Sequence, residues 1–186
     1  MLLNLIILAL LVWAFMIGYS RGLILQIIYT FGTLIAAFIA ADNYKSLATK
    51  ISMWVPFSSA TADSHLLIFS DNLLFHLDDA FYAAVAFIAI FIVVYLIIRL
   101  IGIFLHFTKQ PLGKNGKIIA GILGLAATYF GLQMFLMTLS LVPMATIQEQ
   151  LNNSFLARFL LLHTPISSGI LQQLFIENIT HIKPLG

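Results

Sequence analysis

Long apolar runs, unbroken by charge, leave this chain one kind of environment in which to fold. Met1–Ile17, Leu23–Ala41, Ala80–Leu100 and Ile118 to about Val142 carry no Asp, Glu, Lys, Arg or His at their centres. A helix needs about 17–25 such residues to cross a bilayer. One charge at mid-membrane would cost about 2.5–3.5 kcal/mol on insertion scales, which is why the runs stay clean. Charged residues make up 9% of the chain and hydrophobic ones 61%, against about 25% and about 45–50% in soluble domains. A soluble domain could not cover its surface with so little charge. The fold class expected is all-α, an integral membrane four-helix transmembrane bundle with amphipathic extracytoplasmic helices.

The first run is apolar apart from Asn4, and lacks the basic start and small-residue cleavage site of a signal peptide. Only GYSRG separates it from the second run, so the two should be antiparallel neighbours. Arg99 closes the third run, where a long side chain reaches the headgroups. Pro143 stops the fourth. Residues 1–146 are therefore read as a four-span membrane domain, and 147–186 as an amphipathic extracytoplasmic tail.

Lys and Arg collect unevenly between these runs. The first link holds Arg21; the third and its borders hold Arg99, Lys109, Lys114 and Lys117 with no acidic residue among them. The second link, about 42–79, sets Lys45 and Lys50 against Asp42, Asp63, Asp71, Asp78 and Asp79. Positive-inside counting puts links one and three in the cytoplasm, with both termini and the second link outside.

The stretch QPLGKNGKIIAGILGLAATYFG, Gln110 to Gly131, resembles a phosphate loop at first sight. A Walker A loop requires Gly-Lys followed by Ser or Thr to hold Mg²⁺, and requires a preceding strand. Here Ile118 follows Lys117 and a membrane span precedes, so no nucleotide site is expected. A net charge of +2 gives no basic surface for nucleic acid, and the absence of cysteine removes disulfides and thiolate chemistry. No cofactor is expected. The lysines suit anionic lipid and set orientation.

Ala120, Gly124, Ala127 and Gly131 fall on one helix face at spacings of four, three and four. Together with Gly18 and Gly22 they are the expected helix-packing positions, since small residues let helices approach closely. On the second span Gln26, Thr30 and Thr33 share a face with Gly22, Ala37 and Ala40. Two roles suit them: hydrogen bonds to neighbouring helices, or a polar path for a small solute. The first is favoured because no ionisable residue accompanies them in the spans.

Outside the spans, Leu66, Leu67, Phe69, Leu73, Leu74 and Leu77 recur near helical spacing, and Trp54 suits a membrane interface. In the tail, Leu151, Phe155, Leu156, Phe159 and Leu160 form one apolar face, and Ile170, Leu171, Leu174, Phe175 and Ile179 a second. Such segments should lie flat at the interface or cover the ends of the bundle. Asn72, His76 and Asp79 share a face but supply too few ligands for a metal. His106 reads as an interfacial residue. Ser154, Ser167 and Ser168 lack the His–Asp partners of a nucleophile, so the chain is not expected to be an enzyme.

The Gly-x-x-Arg-Gly turn at Gly18–Gly22, the long second link, the basic third link, the NGKIIAGILGLAATYFG opening of the last span and the NSFLARFLLLHTP segment together resemble the CvpA family of colicin V production proteins. Two positions depart from its pattern: Asn4 stands where members commonly carry Asp, and Lys117 is shifted from the usual Asn-Arg. The resemblance implies a small polytopic protein of the bacterial inner or plasma membrane, linked to bacteriocin or toxin production and envelope maintenance. It points to a non-enzymatic scaffold for other membrane proteins, itself self-associating or partner-bound. A small-solute channel or transporter is the alternative.

Overall fold

The computed structural model describes residues 2–57, 64–104 and 113–184. Lys109, His106, Pro111 and Asp63 lie outside the described residues. Among the described residues, four helices are long and apolar enough to cross a membrane. These are α1 (Leu2–Arg21), α2 (Leu23–Ile51), α3 (Leu77–Phe104), which follows a 3₁₀ turn at Asp71–His76, and α4 (Lys114–Ser140). Each starts or ends a few residues beyond its apolar run; α2 overshoots Ala41 by ten residues, carrying Tyr44, Lys45 and Lys50 past the apolar core.

The helices alternate in direction and pack as two antiparallel pairs, α1 along α4 and α2 along α3. A single residue, Gly22, joins α1 to α2, and its φ of 93° is a conformation that glycine alone adopts freely. In the α2–α3 pair small residues meet: Ala36, Ala40, Ala80, Ala83 and Ala84 are all buried, and Gly32 lies against Ile98 and Gly102 against Tyr29.

Two segments outside the spans differ from their expected form. His65–Ser70 is irregular rather than helical, although Leu66, Ile68 and Phe69 are buried. The apolar pattern there reflects burial in the core that the spans and the tail share. The tail itself does not lie flat. Helix α5 (Ala145–Asn152) leads into α6 (Phe155–Arg158), extended by a π turn over Phe159–His163. A 78° bend follows, and then α7 (Ser167–Gln172), a second π turn (Gln173–Glu177) and the short α8 (Asn178–Thr180). Leu151, Ala157, Leu160, Leu161, Leu171, Phe175 and Ile176 join the same apolar core as the spans. Phe155 and Phe159 point outward instead. The extra residue in each wider π turn rotates the face, so a uniform 3.6-residue period misplaces it.

The elbow formed by α6 and α7 dips into the bundle and returns. It enters beside Asn4 of α1 and leaves where Pro184 O accepts from Ser70 N–H at 3.1 Å. At its tip Thr164 meets the Tyr129 hydroxyl at 2.5 Å. Tyr129 lies eleven residues, or about 16 Å, along α4 from Ser140.

Candidate functional site

Between the two helix pairs lies a cavity of about 560 Å³. Since α1 and α3 make no extended contact, it forms a cleft between them. Its floor is Gly124, Ala127, Thr128 and Gly131 of α4 with Gln26 and Thr33 of α2; Leu10, Trp13 and Ile17 of α1 wall one side, Phe91 and Tyr95 of α3 the other. Arg21 and Arg99 also line it. Arg21 is the last residue of α1, and Arg99 stands five residues before the end of α3. Both guanidinium groups therefore sit at the end of the bundle marked by Gly22.

The small-residue positions do two different things here. At the α1–α4 crossing a Cβ built on Gly18 would lie 2.5 Å from Ala120 O, and one on Gly124 would lie 3.0 Å from Ala14 O. Ala120 is fully buried at the same crossing. Gly131 is different: nothing lies within 4 Å of an added Cβ. Ala127 and Gly131 line the cavity, so the close approach is confined to the first half of the face. Gly22 serves the turn through its backbone.

The polar face of α2 also divides. The Thr33 hydroxyl donates to Tyr29 O at 3.0 Å, within its own helix. The Thr30 hydroxyl donates to Gln26 O at 2.9 Å and approaches Leu123 O of α4 at 3.5 Å. Gln26 is 2% exposed, and its Oε1 is buried with no hydrogen-bond partner among the described residues. An unpaired buried acceptor costs about 1–3 kcal/mol, so this one marks a position where a donor is wanted.

Among the basic residues, the Arg21 guanidinium lies 5.2 Å from the centre of the Tyr29 ring, and Lys117 Nζ 5.9 Å from that of Tyr19. Both are cation–π distances. Lys114 begins α4 and is exposed.

Several residues that hold the tail carry little sequence signal. Asn4 Oδ1 accepts from Ser154 Oγ at 2.6 Å and from Leu156 N–H at 3.0 Å, while Ser154 Oγ accepts from Ala157 N–H. The two side chains jointly cap α6 from the start of α1. Leu160 O and Leu161 O fall in the last turn before Thr164 and Pro165, where the helix ends and Pro165 has no N–H to donate. Gln133 Nε2 (2.7 Å) and Thr164 Oγ1 (3.1 Å) donate to the first, and Gln172 Nε2 (3.0 Å) to the second. Non-helical backbone at this depth requires such side-chain partners. Gln148 Nε2 donates to Ser140 O and Val142 O at the end of α4, and its Oε1 accepts from Leu67 N–H. Tyr44 Oη donates to Leu174 O at 2.8 Å. An amide side chain in an apolar run, as at Asn4 and Gln133, is the hint the sequence offers.

Asn72, His76 and Asp79 are all exposed, and the described residues contain no group of three or more His, Cys, Asp or Glu able to hold a metal. Four spanning helices, a tail folded back among them and a cleft with a basic end define a polytopic all-α membrane protein. The Colicin V production protein family model matches residues 3–165, and the chain belongs to that family. It is 32% identical over 178 residues to the uncharacterized transmembrane protein YshB of Bacillus subtilis (strain 168), covering 95% of this chain and 98% of that one. No solved structure matches the chain.

Proposed function

We propose that the chain is a non-enzymatic scaffold in a bacterial inner or plasma membrane, assisting bacteriocin or toxin production or export and envelope maintenance by holding other membrane proteins. In this reading the Gly22 link and the third link face the cytoplasm, and both termini and the second link face outward. The observation that carries it is the family match over residues 3–165. Exposed apolar side chains support it: Met53, Trp54, Phe75 and Phe155 project from the end that holds the elbow, a surface suited to lipid headgroups or a partner's helices. The test is crosslinking in native membranes, then affinity purification and mass spectrometry. A stoichiometric partner from an export or envelope machine is the expected result. Recovery of self-crosslinked oligomers alone would refute the scaffold.

A second reading, a small-solute path, is favoured by one observation: Gln26 and Thr33 line the cavity. Under it, Gln26→Leu with Thr33→Val abolishes flux in liposomes while the protein stays folded and inserted. Unchanged flux would dismiss it.

A further inference from the structure

The cleft between α1 and α3 has an ordered polarity. Arg21 and Arg99 stand at its basic end. Salt bridging among the described residues is limited to His65 with Asp71, far along the chain from either arginine, so neither guanidinium has a carboxylate partner there. The whole third link from 105 to 113 contains no Asp or Glu. Gln26, one turn into α2, lines the cleft, and its buried Oε1 lacks a donor; a turn of the side-chain amide brings that oxygen to the cleft. Beyond it the walls are apolar, with Leu10, Trp13, Phe91 and Leu132, while Thr33 and Thr128 set two hydroxyl side chains in the floor. Trp13 and Arg99 are exposed, so the cleft opens sideways.

The geometry points to a binding site for a single-chain anionic lipid, a monoacylglycerol phosphate. Its phosphate lies between Arg21 and Arg99, its free glycerol hydroxyl donates to Gln26 Oε1, and its acyl chain fills the apolar cleft. Each feature answers one part of the ligand. Arginine is the side chain best shaped for phosphate, and basic recesses between membrane helices suit anionic headgroups. The Gln26 acceptor asks for a hydroxyl just inward of the phosphate, which a diacyl lipid has esterified. The volume of about 560 Å³ falls within the range of about 300–1,000 Å³ for small-ligand sites. The site is independent of the scaffold reading and stands or falls without it.

Native mass spectrometry of the full chain in mild detergent, titrated with 1-oleoyl-glycerol 3-phosphate, tests the assignment. One lipid should bind per chain. Its analogue lacking the 2-hydroxyl should bind about tenfold more weakly, and Gln26→Leu should erase that difference. Arg21→Gln with Arg99→Gln should weaken binding about a hundredfold. Gly131→Leu, at a position with open space around it, should fill the cleft and abolish binding without lowering the melting temperature. This last variant keeps the test decisive if the arginine pair is needed for folding. Equal binding of 1-oleoyl-glycerophosphocholine would overturn the site, as would equal binding of the 2-deoxy analogue to the wild type. Displacement by glycerol 3-phosphate at equimolar concentration would also overturn it, because a free anion would then be the ligand.

Discussion

One methyl group added at Gly18 should loosen the α1–α4 crossing, whereas the same methyl at Gly131 should not. The Cβ of Gly18→Ala would lie 2.5 Å from Ala120 O and 3.1 Å from Gly121 Cα. Both are backbone atoms of a helix, so no side-chain rotation relieves the clash. The helices must separate by roughly 0.5–1 Å, a gap that forfeits a quarter to a half of the dispersion well for each contact along the crossing. Overpacking of this kind costs about 1–3 kcal/mol. Replacing a helical glycine by alanine returns about 0.8–1.0 kcal/mol of helix propensity. The net effect at Gly18 is a loss of up to about 2 kcal/mol, while Gly131→Ala, with open space around its Cβ, keeps the gain. The two variants should therefore differ by about 1–3 kcal/mol in opposite directions from the wild type. Reversible unfolding in mixed micelles, followed by helical circular dichroism, reads the difference. Equal shifts for the two variants would refute the assignment of Gly18 to the crossing and Gly131 to the cavity.

Three further outcomes are expected. Asn4→Ala and Ser154→Ala should each destabilise by about 0.5–2 kcal/mol; because the two side chains share one hydrogen bond, the double variant should cost less than the sum, and strict additivity in a double-mutant cycle would contradict the joint cap. Ile166 holds φ 70° and ψ −60° with Ser167 N–H donating to Pro165 O at 2.8 Å, a strained γ-turn for a β-branched residue. Ile166→Gly should raise the unfolding free energy by about 1 kcal/mol, and a fall would show that the side chain outweighs its strain. Asp71 accepts from Leu66 N–H at 2.8 Å and meets His65 at 3.2 Å; the Leu66 bond first, and His65 second, hold its carboxyl below the ordinary value. A lowered folded pKa gives stability that is present above the unfolded value and lost as pH falls through the folded one. Protease cleavage within 64–76 should thus rise below about pH 4, and Asp71→Asn should show the higher cleavage already at neutral pH; a pH-independent wild type would dismiss the role.

How much of this was legible in advance varies by element. The four spans follow from length and absence of charge, because a single apolar run of about 17–25 residues satisfies its own backbone in lipid only as a helix. The Gly22 turn and the small-residue positions Gly18, Ala120 and Gly124 were also visible, since close approach demands residues without bulk. The cavity is not, although Gln26, Thr33, Ala127, Gly131, Arg21 and Arg99 each stand out in the sequence. Their separate stripes become one surface only once α1 leans on α4, α2 leans on α3, and a cleft is left between α1 and α3.

The tail shows where linear pattern runs out. Its apolar residues announce burial but not what buries them, and an amphipathic face suits a membrane surface and a neighbouring helix equally. Composition and hydropathy determined, by the cost of charge and unpaired backbone in lipid, that this chain is a membrane helical bundle. Tertiary structure alone decided that the tail enters it. The carbonyls of Leu160 and Leu161, left over where the helix ends before Pro165, find donors in Gln133, Thr164 and Gln172, and α6 finds its cap in Asn4, 150 positions before Ser154. Such partners are brought together only by the folded chain, and no local periodicity encodes them.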